Sequence, residues 1–296
     1  MVGLLMISRM EFYRYLPLSE RDAQWGIYVT GAGTSSVQPF SPYPVRTHPR
    51  AYHLVWEQGR VLPEYQVLYI TQGKGEFESA TAGRRAVAAG TVILLFPGEW
   101  HRYRPYEETG WDEYWVSYNG DYPERLVRHG FLSPDDPVLG IGLDESLLGL
   151  YQGVLDRVRA EPVGYQQLIG SNVLELLAMT LALVRSQRSS DRDEALVREA
   201  KLLLQQPNSL VNIEHLARSL HISGAQFRRI FKEHTGLSPY QYYNQMRIHR
   251  AKELLRGTSL SVKEIAGQLC FESPYHFSKV FKKASGCSPT EWRVGH

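Results

Sequence analysis

Two short stretches of this 296-residue chain, fifty residues apart, each set out a polar face on a helical period. Gln226, Arg228, Arg229 and Lys232 lie opposite the apolar positions Phe227, Ile230 and Phe231. Tyr275, His276, Ser278, Lys279 and Lys282 lie opposite Phe277, Val280 and Phe281. The apolar sets fall at i, i+3 and i+4, the spacing of one side of an α-helix. Arginine and glutamine can donate to purine edges in a DNA major groove, and lysine and arginine can neutralise phosphates. A solvated helix face would look the same for any one of these residues. Written twice, the face points to a polyanion.

The elements that must position these faces are legible around them. "SLVNIEHLARSLHISGAQFRRIFKEHTGLSPYQY" and "SLSVKEIAGQLCFESPYHFSKVFKKASGCSPTEW" are two copies of one unit. Each reads as a short helix with a small residue, Ala217 or Ala266, where a second helix approaches, then a turn, then a helix capped by Ser223 or Ser273. Gly236 and Gly286 supply a left-handed stop, and Ser-Pro opens the next helix. Two copies are too few for a solenoid and imply a pair of helix-turn-helix modules. The helix between them, about 239–255, has Tyr243, Met246, Ala251 and Leu254 as expected packing positions. Carried on such a spacer, two reading helices would enter successive major grooves roughly 34 Å apart. Charge agrees: residues 192–296 carry 16 Lys and Arg against 9 Asp and Glu, a net +7, while the preceding residues carry 17 against 22, a net −5.

The length suits two domains, and 43% hydrophobic with 22% charged residues is ordinary for a soluble globular protein. Cys270 and Cys287 fit neither a disulfide framework nor a zinc site, so packing in a reducing cytoplasm is expected. The start, "MVGLLMISRMEF", has too short an apolar run for a signal peptide, and "VLELLAMTLALV" (173–184) is short for a membrane span, so no membrane partner is expected. From about Trp25 to Tyr118 the chain reads as short aromatic and β-branched strands separated by turns, which predicts a barrel or sandwich. Trp111, Glu113 and Trp115 share one face of an alternating strand, as do His101 and Tyr103 on theirs. Beyond Asp144, Leu147, Leu150, Tyr151, Val154, Leu155 and Val158, then Leu168 to Val184, recur at three and four: two amphipathic helices that pack on the strands, join two copies of the chain, or do both.

The paired units, with their closing "FSKVFKKASGCSPTEWR", resemble the DNA-binding domain of the AraC/XylS family of bacterial transcription regulators, over residues 195–293. The resemblance implies double-stranded promoter DNA and RNA polymerase as partners, usually with activation of transcription. It places base-reading positions on Ala225, Gln226 and Arg229 in the first module and Tyr275, His276 and Lys279 in the second. "GTVILLFPGEWHRYRP" and "GWDEYWVSY" resemble the family's cupin sensor, in particular an arabinose-responsive member whose sugar contacts would fall on Arg60, Tyr103, Glu113 and Trp115. Glu113 stands where that relative has a histidine, and the segment 35–60 departs from its pattern, so a different sugar and an arm over the pocket are open. The chemistry suits a mono- or oligosaccharide: an indole face stacks on C–H surfaces, a guanidinium donates in a fork and a carboxylate accepts from hydroxyls.

The expected architecture is therefore α+β and multidomain. Residues 1–143 form an arm and a cupin-like effector-binding β barrel, 144–186 dimerisation helices, 187–193 a linker, and 194–296 an all-α domain of two helix-turn-helix modules joined by a helix. Cupins also host metal enzymes, whose sites gather several histidines and a carboxylate. "YITQGKGEFES" offers no histidine, leaving His101 and His53, which is too few. No metal or cofactor is expected, with His101 a pocket wall. An enzyme fused to a DNA-binding domain and a sensorless architectural DNA binder are the alternatives.

Overall fold

The computed structural model describes residues 11–43, 54–188, 191–204 and 212–295. It divides into two compact units, Met1–Arg188 and Ser189–His296. In the first, the described strands are β1 (Phe12–Tyr15), β2 (Tyr28–Val37), β3 (Arg60–Val61), β4 (Tyr65–Ser79), β5 (Gly83–Ala88), β6 (Thr91–Leu95), β7 (Trp100–Pro105), β8 (Trp111–Asn119) and β9 (Val138–Gly140). Short helices α1 (Glu20–Ala23) and α2 (Asp121–Arg128) flank β2 and β8, and α3 (Glu145–Ala160) and α4 (Tyr165–Arg188) close the unit.

The strands do not close into the expected barrel. They run β1-β2-β8-β4-β6-β9, with β5 and β7 branching from the far half of β4 and β3 pairing with β7. The reason lies in β4. Its first half pairs with β6 and β8, and its second half with β5 and β7. Between Ile70 and Gln72 the register shifts, and just beyond, Gly73 adopts φ +86°, where an added Cβ would lie 2.0 Å from the Gly110 carbonyl oxygen. A bulge followed by a glycine turns one strand out of one sheet into another. The sheets then cover each other by packing, with no ladder among the described residues joining their ends.

Alternation assigns the two sides of the first sheet. Trp111 and Trp115 join Leu68, Ile70, Phe77 and Tyr103 in the core between the sheets, while Val116 and Tyr118 join Val67, Tyr69 and the helices on the other side. α3 starts where Asp144 accepts from the Leu147 amide at 2.8 Å. α4 contains, over Tyr165–Gln187, an apolar run long enough by composition to cross a membrane, longer than the sequence pattern suggests. Its Ile169, Val173, Leu176 and Leu177 are buried against Leu147, Val154 and Val158, one packed face of a run that is 33% buried in all.

The second unit comprises α5 (Asp191–Leu204), α6 (Ile213–Ser219), α7 (Gly224–Thr235), α8 (Pro239–Gly257), α9 (Val262–Gln268), α10 (Pro274–Ser285) and α11 (Pro289–Gly295). The expected linker, 187–193, is helical wherever it is described, because α4 runs through Arg188 and α5 begins at Asp191. Ser223 and Ser273 cap α7 and α10, and Gly236 and Gly286 end them at φ 73° and 81°. Two separate cores result. Phe227, Ile230, Phe231 and Tyr243 belong to one, and Ile248, Ala251, Leu255, Phe277 and Phe281 to the other, so α8 lends one half to each.

Arg247 on α8 is buried, which the apolar spacing did not suggest. Its guanidinium lies 3.9 Å from the Phe271 ring centroid and donates to the Cys270 carbonyl at 3.1 Å, in a turn where Cys270 takes φ 53°. Replacing Ser223, whose hydroxyl accepts from the Gln226 amide at 3.2 Å, with alanine should lower the stability of the first module by ~1 kcal/mol in denaturant titrations.

Candidate functional site

Between the two sheets, β3 sets Arg60 directly opposite His101 on β7. His101 Nδ1 lies 3.1 Å from the Glu99 carbonyl oxygen, which requires the proton on Nδ1 and leaves Nε2 as an acceptor. Arg60 Nε donates to that Nε2 at 3.2 Å, and Arg60 Nη2 donates to the Tyr103 hydroxyl at 2.7 Å. Burial, with the Arg60 charge adding to it, holds His101 down to about 3, so it is neutral at physiological pH. Burial pushes Tyr103 up to about 12. Its phenol therefore keeps a proton to donate onward.

On the facing side, β8 supplies Glu113, 7% exposed, whose Oε2 has no hydrogen-bond partner among the described residues. Burial raises its carboxyl to about 7, against the pull of Arg60 and with Glu11 adding to the rise. Two residues back on the same face, Trp111 Nε1 is likewise buried and unpaired among the described residues. Trp115, 4% exposed, lies flat over β2, where a Cβ on Gly33 would come within 2.7 Å of the indole. Tyr15 from β1 packs 6.0 Å from Trp115, and Tyr43 meets Trp111 edge-on at 6.5 Å.

Burial raises the Tyr43 phenol well above its usual range, and Tyr103 and Glu113 raise it further. The five residues expected from sequence are thus gathered around one interior. Tyr15 and Tyr43 were missed, since neither lies in a strand whose pairing the sequence reveals. His53 lies outside the described residues. Among the described residues no group of three His, Cys, Asp or Glu side chains could hold a metal ion.

The second constellation sits on α7 and α10. Ala225, Gln226, Arg228, Arg229 and Lys232 are all exposed on α7, and Tyr275, Lys279 and Lys282 lie on α10, with Tyr275 at 77%. His276 differs. It is half-buried, its ring edge-on to Phe271 at 5.9 Å and 3.8 Å from Glu272. Arg229 donates to both Glu233 oxygens at 3.0 and 2.9 Å, and Arg228 donates to Glu214 on α6 at 2.5 Å. The first partner is readable from the i, i+4 spacing; the second joins two helices, and no local pattern announces it.

Residues 216–294 match a helix-turn-helix domain family, and residues 47–204, over half of the chain, match the AraC-like ligand binding domain. The chain belongs to the AraC/XylS family of transcription regulators. It is 31% identical over 242 residues to the HTH-type transcriptional activator RhaS of Salmonella schwarzengrund, covering 71% of this chain and 84% of that protein. It is 28% identical over 238 residues to the MmsAB operon regulatory protein of Pseudomonas aeruginosa, covering 78% of this chain and 75% of the relative. With the arabinose operon regulatory protein of Escherichia coli K12 it shares 27% over 235 residues, covering 75% and 78%. As an AraC-family regulator it carries Arg60, His101, Tyr103, Trp111, Glu113 and Trp115 within the residues matched as ligand-binding domain, with Tyr15 and Tyr43 contributed from before them, and the faces of α7 and α10 within the residues matched as helix-turn-helix domain.

Proposed function

We propose that this regulator binds a sugar or similar polyol between its two sheets and in response activates transcription from a promoter gripped by α7 and α10. The observation that carries the effector reading is the pair of buried, unpartnered groups on β8. The Glu113 carboxyl accepts when ionised and, raised to about 7, can also donate when protonated, and the Trp111 indole N–H can only donate, beside a Tyr103 hydroxyl that accepts from Arg60 and has its own proton to donate. Hydroxyl groups serve all three, and the indoles offer apolar faces to the ring. Relatives named for the arabinose and lactose operons support a carbohydrate.

On the DNA side, Ala225, Gln226, Arg229, Tyr275, His276 and Lys279 are assigned to base edges and Lys232 and Lys282 to phosphates, with Arg228 on the same DNA-facing side of α7. The protein works in the cytoplasm as a homodimer joined through α3 and α4, with RNA polymerase as its partner at the promoter. Leu168, exposed on α4, and the partly exposed Leu174 and Leu181 support that contact surface. β1 supplies a route for the signal. Tyr13 and Tyr15 pack against the interior core, while Arg14 between them donates to the Val158 carbonyl at 3.0 Å and pairs with Glu161 at the end of α3. A ligand that moves β1 therefore acts on the helices, provided it prefers one arrangement over the other.

The test is calorimetric titration and thermal melting of the full chain against neutral mono- and disaccharides. One of them should raise the melting temperature by mass action, and Arg60→Ala should weaken its binding about 10–100-fold. If no sugar shifts either the melting or promoter output, the carbohydrate reading fails.

A further inference from the structure

We propose that Glu214 is a positioning residue that aims Arg228 at one base pair, a device built into the first module alone. The inference rests on α7 being a groove-reading helix. Glu214 stands on α6, and its carboxylate crosses to Arg228 on α7 at 2.5 Å. Both side chains are more than half exposed, at 59% and 51%, so the pair faces solvent beside the exposed residues of α7. Such a pair contributes little to stability, which leaves orientation as its use.

The carboxylate reaches this place because α7 begins with a glycine. A Cβ on Gly224 would lie 2.0 Å from Glu214 Oε2 and 2.6 and 2.7 Å from its other carboxyl atoms. Arg229 has a carboxylate partner too, but Glu233 lies on the same helix and cannot fix α7 against α6. In the second copy of the repeat the three positions are Lys263, Pro274 and Ser278, so carboxylate, glycine and arginine are replaced together.

The chemistry explains why three residues would go together. A guanidinium presents five N–H donors in a planar fork, and a carboxylate on one nitrogen leaves the others for a bidentate contact with guanine O6 and N7. Held in place beforehand, the arginine surrenders less rotamer freedom on binding. Its place near the N-terminal end of the reading helix is where base contacts concentrate in helix-turn-helix proteins.

The experiment uses the full chain and a duplex selected by it from a random-sequence pool. Competition by single-substitution duplexes, and by random DNA across salt concentrations, is measured for Arg228→Ala, Glu214→Gln and Gly224→Ala. Arg228→Ala should lose preference at one base pair by about tenfold or more. Glu214→Gln and Gly224→Ala should each lose several-fold at that same base pair. Glu214→Gln, having shed a negative charge, should meanwhile bind random DNA more tightly, and Gly224→Ala, with charge unchanged, should not. A merely structural pair would lower binding to all sequences alike, which would overturn the proposal. If Arg228→Ala loses the preference and the other two keep it, the proposal fails while α7 remains a reader. If Arg228→Ala itself keeps it, the reading of this face of α7 is at fault and the proposal falls with it.

Discussion

Replacing Glu113 with glutamine is expected to stabilise the ligand-free sensor unit by about 3 kcal/mol at pH 8 and to leave it unchanged near pH 4, with denaturant midpoints followed by tryptophan fluorescence as the measurement. The carboxyl is raised from 4.5 to about 7 by burial, so the folded chain holds this proton more tightly than the unfolded chain does. Its contribution to stability is complete below pH ~4.5 and is lost as the pH rises through ~7, at about 1.4 kcal/mol for each pH step between those limits. Glutamine keeps the shape and cannot ionise, so the loss disappears. His101 works in the opposite sense. Held down to about 3, it contributes stability that is complete above pH ~6.5 and lost as the pH falls toward ~3, and the variant keeps that acid limb. A difference between parent and variant that does not change with pH would show that Glu113 ionises as an ordinary surface carboxylate. Under the carbohydrate reading the same variant loses effector affinity, so greater stability and poorer response should appear together.

The second large effect is at Phe231. Truncation to alanine should cost the first module about 3–5 kcal/mol, a large share of what a small domain possesses. The ring is fully buried, 5.6 Å from Phe227 and 5.4 Å from Tyr242 in edge contacts, with Ile230, Leu216 and Tyr243 in the same cluster. The core around Phe277 and Phe281 shares none of these residues. Circular dichroism should therefore show partial loss of helix, an unchanged tryptophan transition from the sensor unit, and binding to the selected duplex reduced to the level of one module. A single cooperative collapse of all helical signal would contradict the separation of the two cores.

Much of this architecture could be read from the chain because the signals were local. Period-two alternation in 111–118 assigns Trp111, Glu113 and Trp115 to one side, and the duplicated Phe-Phe spacing, serine caps and glycine stops outline both modules. What could not be read depends on partners far away in sequence. The open arrangement of the strands follows from the Gly73–Gly110 approach, which no alternation pattern encodes. Arg247 is not among the packing positions read from the helix, yet it is buried because a carbonyl in the turn after α9 and two aromatic rings receive it. The interior site was half legible. Strand parity placed His101, Tyr103, Glu113 and Trp115, whereas the deep placement of Tyr43 and the neutral state of His101 depend on the surroundings that folding creates.

The kink in β4 makes the sensor sensitive to counting. Leu68 and Ile70 before it and Phe77 after it face one interior only because the extra residue at the bulge restores the phase between the two halves. Excising Thr71 would keep Phe77 facing inward but erase the bulge that turns β4 from one sheet into the other, whereas inserting one residue there would throw the downstream half out of step, turning Phe77 outward and bringing Glu76 and Glu78 in. One inserted codon there should do more harm than most substitutions within either sheet.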